Sequence, residues 1–190
     1  MDYTNLSVAE IGRELEQIAR DAQETFGRLD AQQLNWKPDA TRWSVAQCLE
    51  HLMTANRLML RGAADALNPS RLKTIWQRLP FLPAVLGPMM VRSQAPENTR
   101  RFTAPAAARP ATSDVARDIV EQFIEQHRDA AGQVSLLDEG AAVETIMSSP
   151  FVRVITYSVL DGWRLMVAHD RRHLAQARRV MEMPGFPIHS

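Results

Sequence analysis

The run Leu160-Asp161-Gly162-Trp163-Arg164-Leu165-Met166-Val167-Ala168-His169-Asp170-Arg171-Arg172-His173-Leu174-Ala175-Gln176-Ala177 decides the fold. Leu160, Trp163, Met166, Val167, Ala177 and Val180 recur at three- and four-residue spacing, the period of an amphipathic helix. The helix starts near Thr156 or Ser158 and stops at Pro184-Gly185, because proline cannot continue a helix and glycine suits its end. On it His169 and His173, four residues apart, share one face.

Proline marks where other such helices can run. Seven of the eleven prolines lie between Pro69 and Pro110, so four proline-free stretches remain. Ser7-Val8-Ala9-Glu10 is a capping box, and Ile11, Leu15, Ile18, Ala22 and Phe26 follow at helical spacing. Ser44-Val45-Ala46-Gln47 is a second, leading into Cys48, Leu52, Ala55, Leu58 and Met59 until Asn68-Pro69. Thr112-Ser113-Asp114 is expected to cap a third helix carrying Val115, Ile119, Phe123, Ile124, Ala130, Val134 and Leu137, with Gly140 and Pro150 bracketing its exit. Strand patterning is nearly absent, the best being Phe151 to Thr156. Four amphipathic helices of similar length predict an all-α four-helix bundle, one domain over residues 1–190, with the proline-rich segment 68–112 as a long crossover between helices two and three.

Composition narrows function. The 190 residues are 45% hydrophobic and 23% charged, with 22 basic and 22 acidic residues, so nothing attracts nucleic acid. The uncharged run Leu79 to Val91 is too short and too often broken by proline to span a bilayer, and no membrane partner is expected. Met1-Asp2-Tyr3-Thr4-Asn5 opens with neither a basic nor an apolar stretch, and one cysteine forms no internal disulfide, so the cytoplasm is the expected compartment.

His51, in Cys48-Leu49-Glu50-His51-Leu52-Met53, stands among core-type residues. Together with His169 and His173 it is either a core histidine or one of three ligands to a metal with an open position. Cys48 is available as a fourth ligand, but a cysteine in an apolar helix reads first as a small buried hydrophobe. His127, flanked by Glu125 and Arg128, and His189, in the tail, read as solvated. Asp170 stands where a zinc protease has its glutamate in His-Glu-x-x-His, yet no further protease ligand follows, and Arg171 and Arg172 suggest a solvated, ion-paired face. The Glu-x-x-His motifs of di-iron bundles are missing. Glu50, Asp161 and Asp170 are the carboxylates at hand for a base, and all three read first as helix-surface groups. Trp43, Trp163, Met53, Met59 and Met166 read as core packing or as the wall of a pocket.

Trp43-Ser44-Val45-Ala46-Gln47-Cys48-Leu49-Glu50-His51 and His169-Asp170-Arg171-Arg172-His173-Leu174-Ala175-Gln176 together resemble the DinB-like superfamily of bacterial four-helix bundles, in its Trp-Ser opening of helix two and its terminal His-x-x-x-His-x-x-Gln. The resemblance covers most of the chain, the segment Pro69 to Pro110 excepted. It implies that His51, His169 and His173 bind a divalent metal such as zinc, nickel or iron, and that the chain forms a homodimer. Branches of the family transfer low-molecular-weight thiols such as bacillithiol or mycothiol, and others were labelled hydrolases. A metal-dependent thiol transferase acting on a small molecule is therefore the expected activity, with a metal-dependent hydrolase or a non-catalytic ligand-binding bundle as alternatives. Trp76, Phe81 and Leu82 in the crossover are expected to cover the bundle or a dimer partner.

Overall fold

Two reciprocal caps begin two of the long helices. In the computed structural model, which describes residues 1–79, 81–98, 100, 103–111 and 114–187, the Ser7 hydroxyl accepts from the Glu10 amide while the Glu10 carboxylate accepts from the Ser7 amide, opening α1 at Val8–Phe26. Ser44 and Gln47 make the same exchange at the start of α3, Val45–Leu67, after a short α2 at Ala31–Asn35. Such caps satisfy amides that a helix start leaves without intrahelical partners. Beyond them come α4 (Leu82–Gln94), α5 (Ile119–Ser135), α6 (Glu139–Glu144) and α7 (Val159–Met181). Ser158 caps α7 by accepting from the Asp161 amide at 2.9 Å, and Arg178 and Arg179 complement the helix dipole in its last turn.

The described chain is mostly helical, with one two-stranded antiparallel sheet, β1 (Ile146–Ser148) against β2 (Thr156–Ser158), Met147 opposite Tyr157. The four long helices α1, α3, α5 and α7 enclose the core: α1 lies against α5 and α7, and α3 against the same two. Leu15, Leu49, Phe123 and Leu160 meet inside it, fully or almost fully buried. Arg171 crosses from α7 to α1, donating to Glu14 at 2.8 Å and to Asp21.

Three local expectations are corrected. The third long helix begins at Ile119, not at Thr112-Ser113-Asp114, of which Thr112 and Ser113 lie outside the described residues, as does His189. Asn35 clamps the Val115 backbone instead, accepting from its amide at 2.8 Å and donating to its carbonyl at 2.9 Å, so the chain turns helical only afterwards. Phe151 is not in a strand; the strands flank the loop that holds it. The proline-rich segment also contains a helix, α4, with Pro83 in its first turn, where a missing N–H costs nothing, and Pro88 inside it. One hydrogen bond is lost there, and packing of Pro83, Gly87 and Val91 on their buried face offsets it. No described helix is long and apolar enough to cross a membrane.

Candidate metal site

The second turn of α3 and the middle of α7 bring His51, His169 and His173 together. One ligand atom from each lies within 4.8 Å of the others. Ring centroids are 4.6 Å apart for His169 and His173, 4.7 Å for His51 and His173, and 5.1 Å for His51 and His169. The Nε2 atoms of His51 and His169 are 3.3 Å apart. Two nitrogens bound to one zinc at tetrahedral angles would stand about 3.3 Å apart, so the spacing fits a shared ion. Trp43, just before the α3 cap, packs its ring 4.9 Å from His51 and stacks 5.8 Å from His173, restricting both planes.

Orientation comes from an unexpected group. His51 Nδ1–H donates to the carbonyl of Ala108 at 2.5 Å, in the 3-10 turn Ala106–Ala108, which leaves the lone pair on Nε2, facing His169. His173 Nδ1 is buried with no hydrogen-bond partner, and a buried polar atom left so costs about 1–3 kcal/mol unless something binds it. Donor chemistry, spacing and this orphaned nitrogen all fit a metal ion.

Electrostatics agree. Burial is the leading cause that lowers the pKa of His51, with the Ala108 carbonyl and Asp170 pulling it partly back. Burial, then the neighbouring histidines and Arg172, hold His169 well below its ordinary value. Burial, His51 and Arg172 push His173 down to about 3. Near pH 7 the cluster therefore presents neutral imidazoles, the form that binds metal.

His127 and Asp170 are not on a solvated face. Both are buried, with Asp170 0% exposed, and His127 Nε2 lies 3.0 Å from Asp170 Oδ2. Asn56 of α3 donates to both Asp170 oxygens, at 3.0 and 3.2 Å. His127 Nδ1 faces the Phe123 carbonyl at 2.8 Å, so each ring nitrogen of His127 meets an acceptor. Both contacts are made when the ring is an imidazolium against a carboxylate, or when Asp170 holds the second proton; either way the pair is neutral overall. Arg171 and Arg128 concealed this in the sequence, because neighbours one residue away on a helix face elsewhere.

The remaining candidates lie apart from the cluster. Cys48 is fully buried, its thiol pushed up to about 12 by burial, and behaves as a small apolar residue. Glu50 accepts from the Ala111 amide at 2.7 Å, and Asp161, buried, pairs with Arg164 at 3.0 Å. Trp163, Met59, Met147 and Met166 are buried and line one small cavity that none of the three histidines borders. Among the described residues no carboxylate joins the three histidines. The Ala108 carbonyl left no trace in the residue pattern, since any residue type supplies one.

The sequence profile of the DinB superfamily matches residues 14–177. No curated protein and no solved structure shows a significant match to the chain.

Proposed function

The chain belongs to the DinB superfamily, and from that premise and the histidine cluster we propose a metal-dependent thiol transferase. His51, His169 and His173 would hold a divalent ion, zinc, nickel or iron, and leave a position for a low-molecular-weight thiol that attacks a small electrophile. The carrying observation is the convergence of three neutral imidazoles from two helices, joined by no fourth histidine, cysteine or carboxylate among the described residues. Three protein ligands plus an open position is the pattern of catalytic rather than structural metal centres. Bound there, the ion would acidify the thiol until it is a thiolate at neutral pH.

The chain's own groups hold the site ready. Ala108 fixes the His51 tautomer, and the Trp43 ring restrains His51 and His173. Thiol chemistry is favoured over hydrolysis because a hydrolase wants a base beside its water, and the carboxylates nearest in sequence are engaged elsewhere: Asp170 with Asn56 and His127, Glu50 with Ala111, Asp161 with Arg164. The reading places the protein in the cytoplasm, where thiols stay reduced.

Metal analysis and one titration test this. Protein reloaded with zinc, nickel or iron should hold about one ion per chain, and the triple variant His51→Ala, His169→Ala, His173→Ala none. A bacterial thiol should perturb the electronic spectrum of the cobalt-substituted protein and support conjugation of an electrophile. Equal metal in wild type and triple variant removes the site. Metal binding without thiol response, but with turnover of esters or amides, transfers the site to the hydrolase reading; metal binding with neither response leaves a ligand-binding bundle.

A further inference from the structure

The segment between α3 and α5 is inverted relative to an ordinary protein surface. In its 3-10 turn Trp76–Arg78, polar Gln77 is the residue buried, donating to the Ile146 carbonyl at 3.1 Å and accepting from the Thr74 amide at 2.8 Å. Leu72 (85%), Ile75 (71%) and Trp76 (42%) face outward around it. Helix α4 repeats the inversion: residues 82–91 include no polar side chain. One i, i+4 stripe, Pro83, Gly87 and Val91, is buried, while the other, Phe81, Val85 and Met89, is exposed, Phe81 by 84%. A helix apolar all round is normally buried on every side. Phe81 moreover keeps a left-handed backbone, φ 65°, which costs a bulky L-residue free energy and holds its ring out at the helix start.

Charge identifies the occupant. From residue 66 to residue 96 there are four basic residues, Arg71, Lys73, Arg78 and Arg92, and no acidic one, in a chain whose charges balance as a whole. Arg71 is paired with Asp65, but among the described residues neither Lys73 nor Arg78 has an ion-pair partner. A two-fold dimer through this face would set the patch against itself and crowd the cations of both copies into one interface. An anionic bilayer surface answers both features: the rings and aliphatic side chains enter the headgroup boundary while the cations reach lipid phosphates and carboxylates. We propose that the face formed by the Trp76 turn and the exposed stripe of α4 docks the protein peripherally onto anionic membrane, without any spanning segment. This departs from the sequence-based expectation of no membrane partner, and it stands independently of the metal site.

The test is co-sedimentation of the full-length protein with sucrose-loaded vesicles of phosphatidylcholine, with or without phosphatidylserine. Binding is expected only with phosphatidylserine and should weaken as salt is raised. Lys73→Glu with Arg78→Glu should weaken it by about thirtyfold or more, from two cations lost at the usual electrostatic gain per basic residue near an anionic leaflet. Phe81→Ser with Val85→Ser should abolish the blue shift of tryptophan fluorescence on binding. All four positions are exposed, and far-ultraviolet circular dichroism checks that the variants fold. Absence of binding to phosphatidylserine vesicles, or binding indifferent to both substitutions, overturns the proposal. A dimer by light scattering that the Phe81→Ser, Val85→Ser variant dissociates, with no vesicle binding, also overturns it and gives the face to a second copy.

Discussion

Replacing Asp170 by alanine tests whether the polar cluster inside the core is as closed as its geometry states. Asp170 is fully buried, accepts two contacts from Asn56 and shares one with His127, and so joins α3, α5 and α7. Asp170→Ala leaves Asn56 Nδ2 without its acceptor and His127 Nε2 without its partner. Each buried polar group left without a partner costs about 1–3 kcal/mol, against the roughly 5–15 kcal/mol that holds a domain folded. Asp170→Asn differs: the amide oxygen still accepts from Asn56, the amide N–H can donate to a neutral His127 Nε2, and His127 Nδ1–H still reaches Phe123. That exchange keeps a partner for each of these groups and should cost only about 1 kcal/mol. Urea unfolding of metal-free protein near pH 7 reads both, provided the m-value is unchanged. A cost for Asp170→Ala below about 1 kcal/mol, the range of an exposed ion pair, would refute the burial argument. Equal costs for the two variants would refute the proton accounting.

Gly87→Ala should destabilise by about 1–3 kcal/mol, since a methyl there would stand 2.8 Å from Asp161 Cγ and force α4 away from α7 or disturb the Asp161–Arg164 pair; an unchanged thermal midpoint would show that α4 is not seated on α7. Acid should weaken the metal-free protein through its histidines. The folded-state pKa values of His51, His169 and His173 lie below the ordinary 6.5, so as pH falls below about 6.5 the unfolded chain takes protons first and stability is lost toward the folded values, about 3 for His173. Saturating zinc should move that loss to lower pH, because the ion competes with protons for the same nitrogens. Urea midpoints from pH 7.5 to 5 measured with and without metal decide it; curves that coincide would separate the histidines from the ion.

What the sequence made legible was what depends on period and local chemistry. Both capping boxes, at Ser7 and Ser44, form as the residue types dictate, and the three histidines meet because an i, i+4 pair on α7 faces the first turns of α3. Long-range partners defeated the same reasoning. Val115 reads as helical until Asn35, eighty residues earlier, takes its backbone hydrogen bonds. His127 and Asp170 look solvated beside Arg128 and Arg171, but Arg171 is drawn off to Glu14 and Asp21 on α1, which leaves the inward side to the neutral pair. Prolines hid α4, since the rule that they break helices holds for isolated propensity and yields where apolar packing on α7 and β2 compensates.

The hydrogen bond from His51 to Ala108 spans 57 positions of sequence and uses a peptide carbonyl. Every amino acid carries that oxygen, so the property under constraint is the path of the chain through the turn at 106–108 rather than a chemical group encoded there. Substitutions small enough for the buried Ala108 position would be silent toward the imidazole, whereas inserting or deleting a single residue nearby would rotate the carbonyl away and free Nδ1 to compete with Nε2 as the donor atom. The reactivity of an ion held there would thereby be tied to loop length, a variable that changes by steps and is inherited as indels rather than point mutations.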